Sequence, residues 1–214
     1  MNSIKLQCII IVLIFFYCCI NGCNAQNKKI RNPPSSTNVH YIDIQQDTNG
    51  KADFWYPLLK QAARDLKLDS LELGYDSLQL RIWFNYSLAR RHHLFIIKYD
   101  NNWNGRLITY IEDSSNNLTE FKVTLVNEEE IRPLHGWNNL IKKFSEYGLN
   151  GLENSCKDER GIDGTDYCFE IATRKNYRYF SFWSPELSNC KEKNNILGII
   201  QTIEKEFGFK RLQH

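Results

Sequence analysis

Leu78-Gln79-Leu80-Arg81-Ile82-Trp83-Phe84-Asn85-Tyr86 decides the fold class. Leu78, Leu80, Ile82, Phe84 and Tyr86 fall on one side of a period of two, and Gln79, Arg81, Trp83 and Asn85 on the other. Successive side chains of a strand point to opposite faces, so the run predicts a strand with one apolar face. Leu94–Tyr99 reads as a second strand, with Ile96 and Ile97 at its centre. Asp100-Asn101-Asn102 and Asn104-Gly105 carry turn chemistry, which makes Arg106–Ile111 the hairpin partner of that strand. Ser114-Ser115-Asn116-Asn117 forms the next turn, and Phe121, Val123 and Leu125 alternate in a fourth strand.

Helical spacing flanks this block. Leu58, Leu59, Ala62, Ala63 and Leu66 line one face of a helix over 53–68, with Pro57 in its first turn and Asp53 placed to cap it. Pro133 opens a second helix, in which Leu134, Trp137, Leu140, Ile141, Phe144 and Tyr147 share a stripe that Gly148 ends. Residues 167–174 and 177–183 form a hairpin that Pro185 stops. A third helix follows over about 194–207, its buried stripe made by Ile196, Ile199, Ile200, Ile203 and Phe207. The expected class is α+β in the order α-β-β-β-β-α-β-β-α, an antiparallel sheet with its helices packed on one face.

The N-terminus reads as an address. Lys5 precedes twelve residues, Ile9–Ile20, that are apolar apart from Tyr17, Cys18 and Cys19. That length suits the hydrophobic core of a signal peptide and is short of a membrane span. Ala25, with Cys23 two residues before it, makes a small-x-small cleavage site that would end a signal peptide over 1–25. Ile20-Asn21-Gly22-Cys23 resembles a bacterial lipobox, which implies cleavage after Gly22 and lipidation of Cys23; Asn21 departs from that pattern. Residues 26–50, with Lys28, Lys29, Arg31 and Asn32-Pro33-Pro34-Ser35-Ser36-Thr37-Asn38, read as a flexible linker or a frayed terminus. A single α+β domain is expected over 51–214.

Charge excludes two partners. Lys and Arg number 27 and Asp and Glu 25, a net of +2. That balance has no electrostatic footprint for nucleic acid or for an anionic membrane surface. A membrane contact is expected only through a lipid anchor.

Three cysteines remain in the domain: Cys156, Cys168 and Cys190. An oxidising compartment permits one bridge among them. Cys156 with Cys190 is the favoured pair, because both sit in polar loops flanking one hairpin; three free thiols are the other reading. No C-x-x-C spacing accompanies them, so no metal site is expected.

Few residues carry catalytic promise. His92 and His93 are neighbours in a strand, so they cannot line one site there. Glu128-Glu129-Glu130 lies just ahead of a helix start, where the dipole favours negative charge; a calcium or basic-partner contact is its other reading. No phosphate loop, nucleophile elbow or zinc-protease motif is present, and no cofactor is implied. Asn85-Tyr86-Ser87 and Asn117-Leu118-Thr119 match the glycosylation pattern, which matters only in a eukaryotic pathway.

The turn Asp163-Gly164, with Tyr167 and Glu170, the aromatic run Tyr177-Arg178-Tyr179-Phe180, Pro185 and the helix to Phe207 resemble exported bacterial proteins of uncharacterised function. The resemblance covers about the last fifty residues and implies no activity. In this hairpin Tyr177, Tyr179, Ser181 and Trp183 share one face, and Arg178, Phe180 and Phe182 the other. With the Phe face inward, Tyr177, Tyr179 and Trp183 would form a contact surface that Arg178 reaches from its edge, and such residues dominate interface hot spots.

The leading expectation is therefore an exported, non-catalytic binding protein of the bacterial envelope, with a protein or glycan ligand on that aromatic face. The alternatives are an exported hydrolase, with His92 or His93 acting alongside Glu170 or Asp163, and a secreted inhibitor or immunity-type protein, suggested by a cystatin-like element order alone.

Overall fold

The alternating run 78–86 becomes β2 (Leu78–Tyr86), the middle strand of the sheet. The computed structural model describes residues 41–46, 50–87, 89–114, 121–152 and 164–212. They belong to a unit running from Val39 to His214. β2 pairs antiparallel with β3 (Arg91–Asp100) on one side and with β6 (Thr165–Thr173) on the other. β4 (Asn102–Ser114) and β5 (Phe121–Ile131) extend the sheet beyond β3. β7 (Asn176–Trp183) pairs with β6, and β1 (Tyr41–Ile44) lies parallel to β7 at the far edge. The order across the sheet is β1-β7-β6-β2-β3-β4-β5.

The mixed α+β class, with a largely antiparallel sheet, holds. Three features depart from the sequence expectation. First, the helices cover both faces of the sheet, not one. α1 (Trp55–Asp65) packs Tyr56, Leu59 and Ala62 against Trp83, Leu94, Ile96, Tyr110, Tyr177 and Tyr179. α2 (Trp137–Glu146) and α3 (Lys193–Phe207) pack Leu140, Phe144, Ile196, Ile199, Ile200 and Ile203 on the opposite face, against Ile82, Phe84, Phe95, Phe169 and Phe180. A sheet buried on both sides forms the middle of three layers, each interface excluding water from its own set of apolar side chains.

Second, the element order begins with a strand. β1 falls inside the stretch 26–50 read as linker. Four residues carry no usable periodicity, and their place depends on pairing with β7, more than 130 residues away in the chain. Third, β5 continues through Glu128-Glu129-Glu130 to Ile131, so the acids belong to a strand and not to a helix start. The second helix begins at Trp137, after Gly136 at φ 81°, and Pro133 lies outside it.

Local chemistry explains the turns. Asn101 adopts φ 67° between β3 and β4, a left-handed conformation that Asn tolerates better than most residues. Gly164 enters β6 where a Cβ would stand 2.3 Å from the Ser184 hydroxyl oxygen and 2.6 Å from the Trp183 indole nitrogen. Only glycine fits that approach.

Candidate functional site

The polar side of β2 is not a solvated face. Gln79, Arg81 and Asn85 are buried, and so are Asp166, Glu170 and Ser181 on the neighbouring strands. Buried polar groups need partners, and here they find one another beneath α1. The Glu170 carboxylate accepts the Trp83 indole N–H at 2.8 Å and the Tyr177 hydroxyl at 2.9 Å. The Arg81 guanidinium lies 3.8 Å from it and donates to the Asp69 carbonyl at 2.7 Å. Burial depresses the Arg81 pKa, and the Glu170 charge opposes that shift. Tyr177 is pushed far up by burial and by Glu170.

A second cluster centres on Asp53. Its Oδ2 accepts the hydroxyls of Tyr179 and Ser181, each at 2.9 Å, and the Trp55 N–H at 3.4 Å. Asp53 thus joins the start of α1 to β7. Tyr179 is held protonated by burial first, then by the neighbouring Cys168 and Asp53. Next to it, Asn85 donates toward the Cys168 sulfur at 3.8 Å and accepts the Tyr110 hydroxyl at 2.8 Å. Asn85 is 4% exposed, so this glycosylation match is buried in the folded chain.

The two histidines separate as strand alternation requires. His92 stacks on Tyr110 at 5.3 Å and accepts the Tyr86 backbone N–H at Nδ1. Glu112 lies 3.6 Å from its Nε2. His93 meets Phe209 edge-on at 4.9 Å. Burial lowers both rings to about 4, with a further push from His93 on His92 and from Arg91 on His93. Both are neutral at pH 7. Glu170 is engaged with Trp83 and Tyr177, so the nucleophile-and-base arrangement of a hydrolase is not assembled around it. Among the described residues no group of three or more His, Cys, Asp or Glu could hold a metal ion.

The expected aromatic contact surface is covered. Tyr177 is 1% exposed and Tyr179 2%, with the Tyr56 ring 4.9 Å from that of Tyr179. Phe180 and Phe182 are buried on the other face. Trp183 is half-buried against Gly164. Both faces of this hairpin serve packing, because helices lie on both sides of it.

Arg178 has a structural position that the residue pattern did not suggest. It donates from Nε to Asp43 at 2.8 Å, and from its terminal nitrogens to the carbonyls of Asn150 and Leu152. Its guanidinium carbon stands 5.3 Å from the Phe180 ring centroid. One side chain therefore ties β1, β7 and the 3-10 turn Leu149–Gly151 together. Arg178→Ala is expected to cost about 1–3 kcal/mol, since charged hydrogen bonds are lost and two carbonyls lose their donors. Amide exchange should locate the loss: protection at Tyr41 and Gln45, whose N–H groups bond the Lys175 and Tyr179 carbonyls, falls while that of β2 holds. Unchanged protection at β1 would remove Arg178 from this role.

Cys23, Cys156 and Asp163 lie outside the described residues. Cys168 is buried and forms no disulfide. Cys190 is disulfide-bonded, to a partner outside the described residues.

What remains open to solvent is the sheet's two edges. A shallow groove of about 470 Å³ runs along Ile42, Asp43, Ile44, Gln45 and Gln46 of the β1 edge. At the other edge every residue from Thr124 to Glu130 is exposed. No residue pattern marks an edge strand directly; the signal for β5 lay in three consecutive glutamates following an alternating run.

No protein-family model matches the chain, and no curated protein matches it. No helix among the described residues is long and apolar enough to cross a membrane.

Proposed function

We propose that this chain is an exported, non-catalytic binding protein of the bacterial envelope, with a protein as its ligand. One observation carries the reading. His92 and Glu170, buried, and His93, half-buried, are the described groups best suited to acid–base work; they sit in separate environments, His92 and Glu170 hydrogen-bonded to structural neighbours and His93 packed edge-on against Phe209. The signal-like segment over 9–20 and the lipobox-like Ile20–Cys23 support export, with either lipidation at Cys23 or cleavage after Ala25. The near-zero net charge favours neither nucleic acid nor a bare lipid surface.

Two measurements test it. Purified domain is assayed against esterase, glycosidase and peptidase substrate panels. Turnover that His92→Gln or Glu170→Gln abolishes in a folded variant would replace the binding reading with the hydrolase. The intact mass of the mature protein, taken from its own host, distinguishes a chain starting at Cys23 with acyl groups from one starting at Gln26. A mass still containing residues 1–22 would overturn export by either route.

The oxidising compartment also predicts the bridge. Cys156 is proposed as the partner of Cys190. Closing that loop of about 35 residues is worth about 4 kcal/mol on the chain-entropy estimate. Alkylation of native protein without reductant should label neither of them, and Cys168 should react only after unfolding. Label on Cys156 in the unreduced protein would reject the pairing.

A further inference from the structure

We propose that β5 is a docking edge for an extended segment of a partner protein, a segment basic at its N-terminal half and apolar at its C-terminal half. The inference rests on the binding-protein reading and gives that reading a surface and a partner chemistry.

The argument starts from main-chain chemistry. β5 is the last strand of the sheet and pairs only with β4. An edge strand presents unpaired N–H and C=O groups, and these are a template for another strand. At its start the edge is closed: the Asp65 carboxylate, at the end of α1, accepts the Val123 N–H at 2.9 Å. Beyond that point, Thr124 to Glu130 are all exposed. Among the described residues no backbone hydrogen bond to an element other than β4 falls on this stretch. Seven residues span roughly 23 Å of edge. The opposite edge is shorter. β1 has four residues, and the backbone of residues 52–53 folds onto its end through the Gln46–Ala52 bridge and the Asp53 N–H to Gln45 carbonyl bond.

The side chains then select the partner. Leu125 and Val126 are 49% and 48% exposed, next to a register shift opposite Thr109 and Tyr110. Glu128, Glu129 and Glu130 follow, all exposed. Arg106 pairs with Glu128, and no ion pair is seen at Glu129 or Glu130 among the described residues. Charged residues on an edge repel indiscriminate strand addition. They leave one complement: a strand carrying Lys or Arg across from them. A second copy of this chain would set glutamates against glutamates in parallel pairing, where like charges directly opposite destabilise a pair, and against its own Thr124, Leu125 and Val126 in antiparallel pairing over this stretch, so neither supplies the cation. Antiparallel pairing is the stronger geometry. It places the partner's basic residues at its N-terminal half and its apolar residues beside Leu125 and Val126. Affinity then comes from main-chain bonds and specificity from alternate side chains.

The test uses the purified domain and a defined probe, acetyl-Lys-Thr-Lys-Thr-Val-Thr-Val-amide, followed by amide chemical shifts. Binding is expected on the order of 100 µM, with shifts concentrated on Thr124–Glu130 and weakening with added salt. Glu129→Lys/Glu130→Lys leaves the Arg106–Glu128 pair intact and lies on exposed positions. It should weaken the basic peptide about tenfold and let the same peptide with Glu in place of Lys bind. Leu125→Thr gives a second reading on the apolar half, should the double variant misfold. A peptide with Pro at its centre should bind at least tenfold more weakly than the parent. Shifts mapping to β1 or elsewhere would overturn the β5 placement while leaving a binding protein. No binding at about 1 mM, or equal binding by the double variant, would overturn the proposal. Self-association through β5 would replace the basic partner with a second copy. Cleavage of the peptide would overturn the binding reading itself.

Discussion

Glu170→Gln is expected to destabilise the fold by about 3 kcal/mol, because it strands the Arg81 guanidinium in the interior. Arg81 is 2% exposed, and its other bond goes to a neutral carbonyl. Gln at 170 can still accept the Trp83 N–H at its oxygen and donate from its amide nitrogen to the Tyr177 hydroxyl oxygen, so the substitution removes the charge and keeps both contacts. A buried cation without its anion keeps the desolvation cost and loses the attraction that offset it. Adding Arg81→Met should recover most of the loss, since replacing both charges with apolar volume is often neutral. Urea unfolding at pH 7 measures all three proteins. A single-variant loss under about 1 kcal/mol would show that the 3.8 Å pair contributes no more than an exposed one.

Acidification is the second large effect. His92 and His93 have folded values lowered to about 4, against about 6.5 in an unfolded chain. Between those values the unfolded chain binds more protons, so stability rises with pH there. The full contribution is present above pH 6.5 and is lost as pH falls toward 4. A shift of that size is worth up to about 3 kcal/mol at His92, which is 5% exposed. His93 contributes less, because solvent reaches part of its ring and screens it. The window from 6.5 to about 5 belongs to the histidines, since ordinary carboxylates titrate lower. Burial raises Glu112, the acid facing His92, so its protonation acts in the opposite direction and mutes the curve at its acid end. Urea midpoints from pH 8 to 4 should fall through that window. His92→Gln should flatten the fall by more than half. A level profile from 6.5 to 5 would mean that the rings meet enough water in the native state to charge freely.

Most of the architecture could be read from local spacing. β2, the β3–β4 hairpin, the β6–β7 hairpin and the stripe of α3 each showed a period of two or of 3.6 over enough residues to exclude the other. The register of β2 followed from the same alternation: Leu80, Ile82 and Phe84 line one core, as their spacing required. The opposite side of β2 misled for a physical reason. Gln79, Arg81 and Asn85 look solvated in one dimension, yet each is buried. Their partners, Asp69, Glu170, Cys168 and Tyr110, come from elements up to 89 residues distant. A polar residue says what must be satisfied, not whether water or protein satisfies it.

The same limit displaced the candidate site. Tyr177, Tyr179 and Trp183 carried the composition of a contact surface, but α1 covers Tyr177 and Tyr179, and Trp183 is half-buried against Gly164. The glutamates of β5 carried the composition of a helix start, but strand pairing with β4 holds them at the sheet's edge. Periods of hydrophobicity and the turn chemistry at Asn101 and Gly164 are properties of short segments, so the linear chain states them outright. Which face is covered, which strand ends the sheet and which carboxylate meets Arg81 depend on elements far apart in the chain. Those are settled by how the three layers close on one another, where each buried charge and each free edge is defined by what packs beside it.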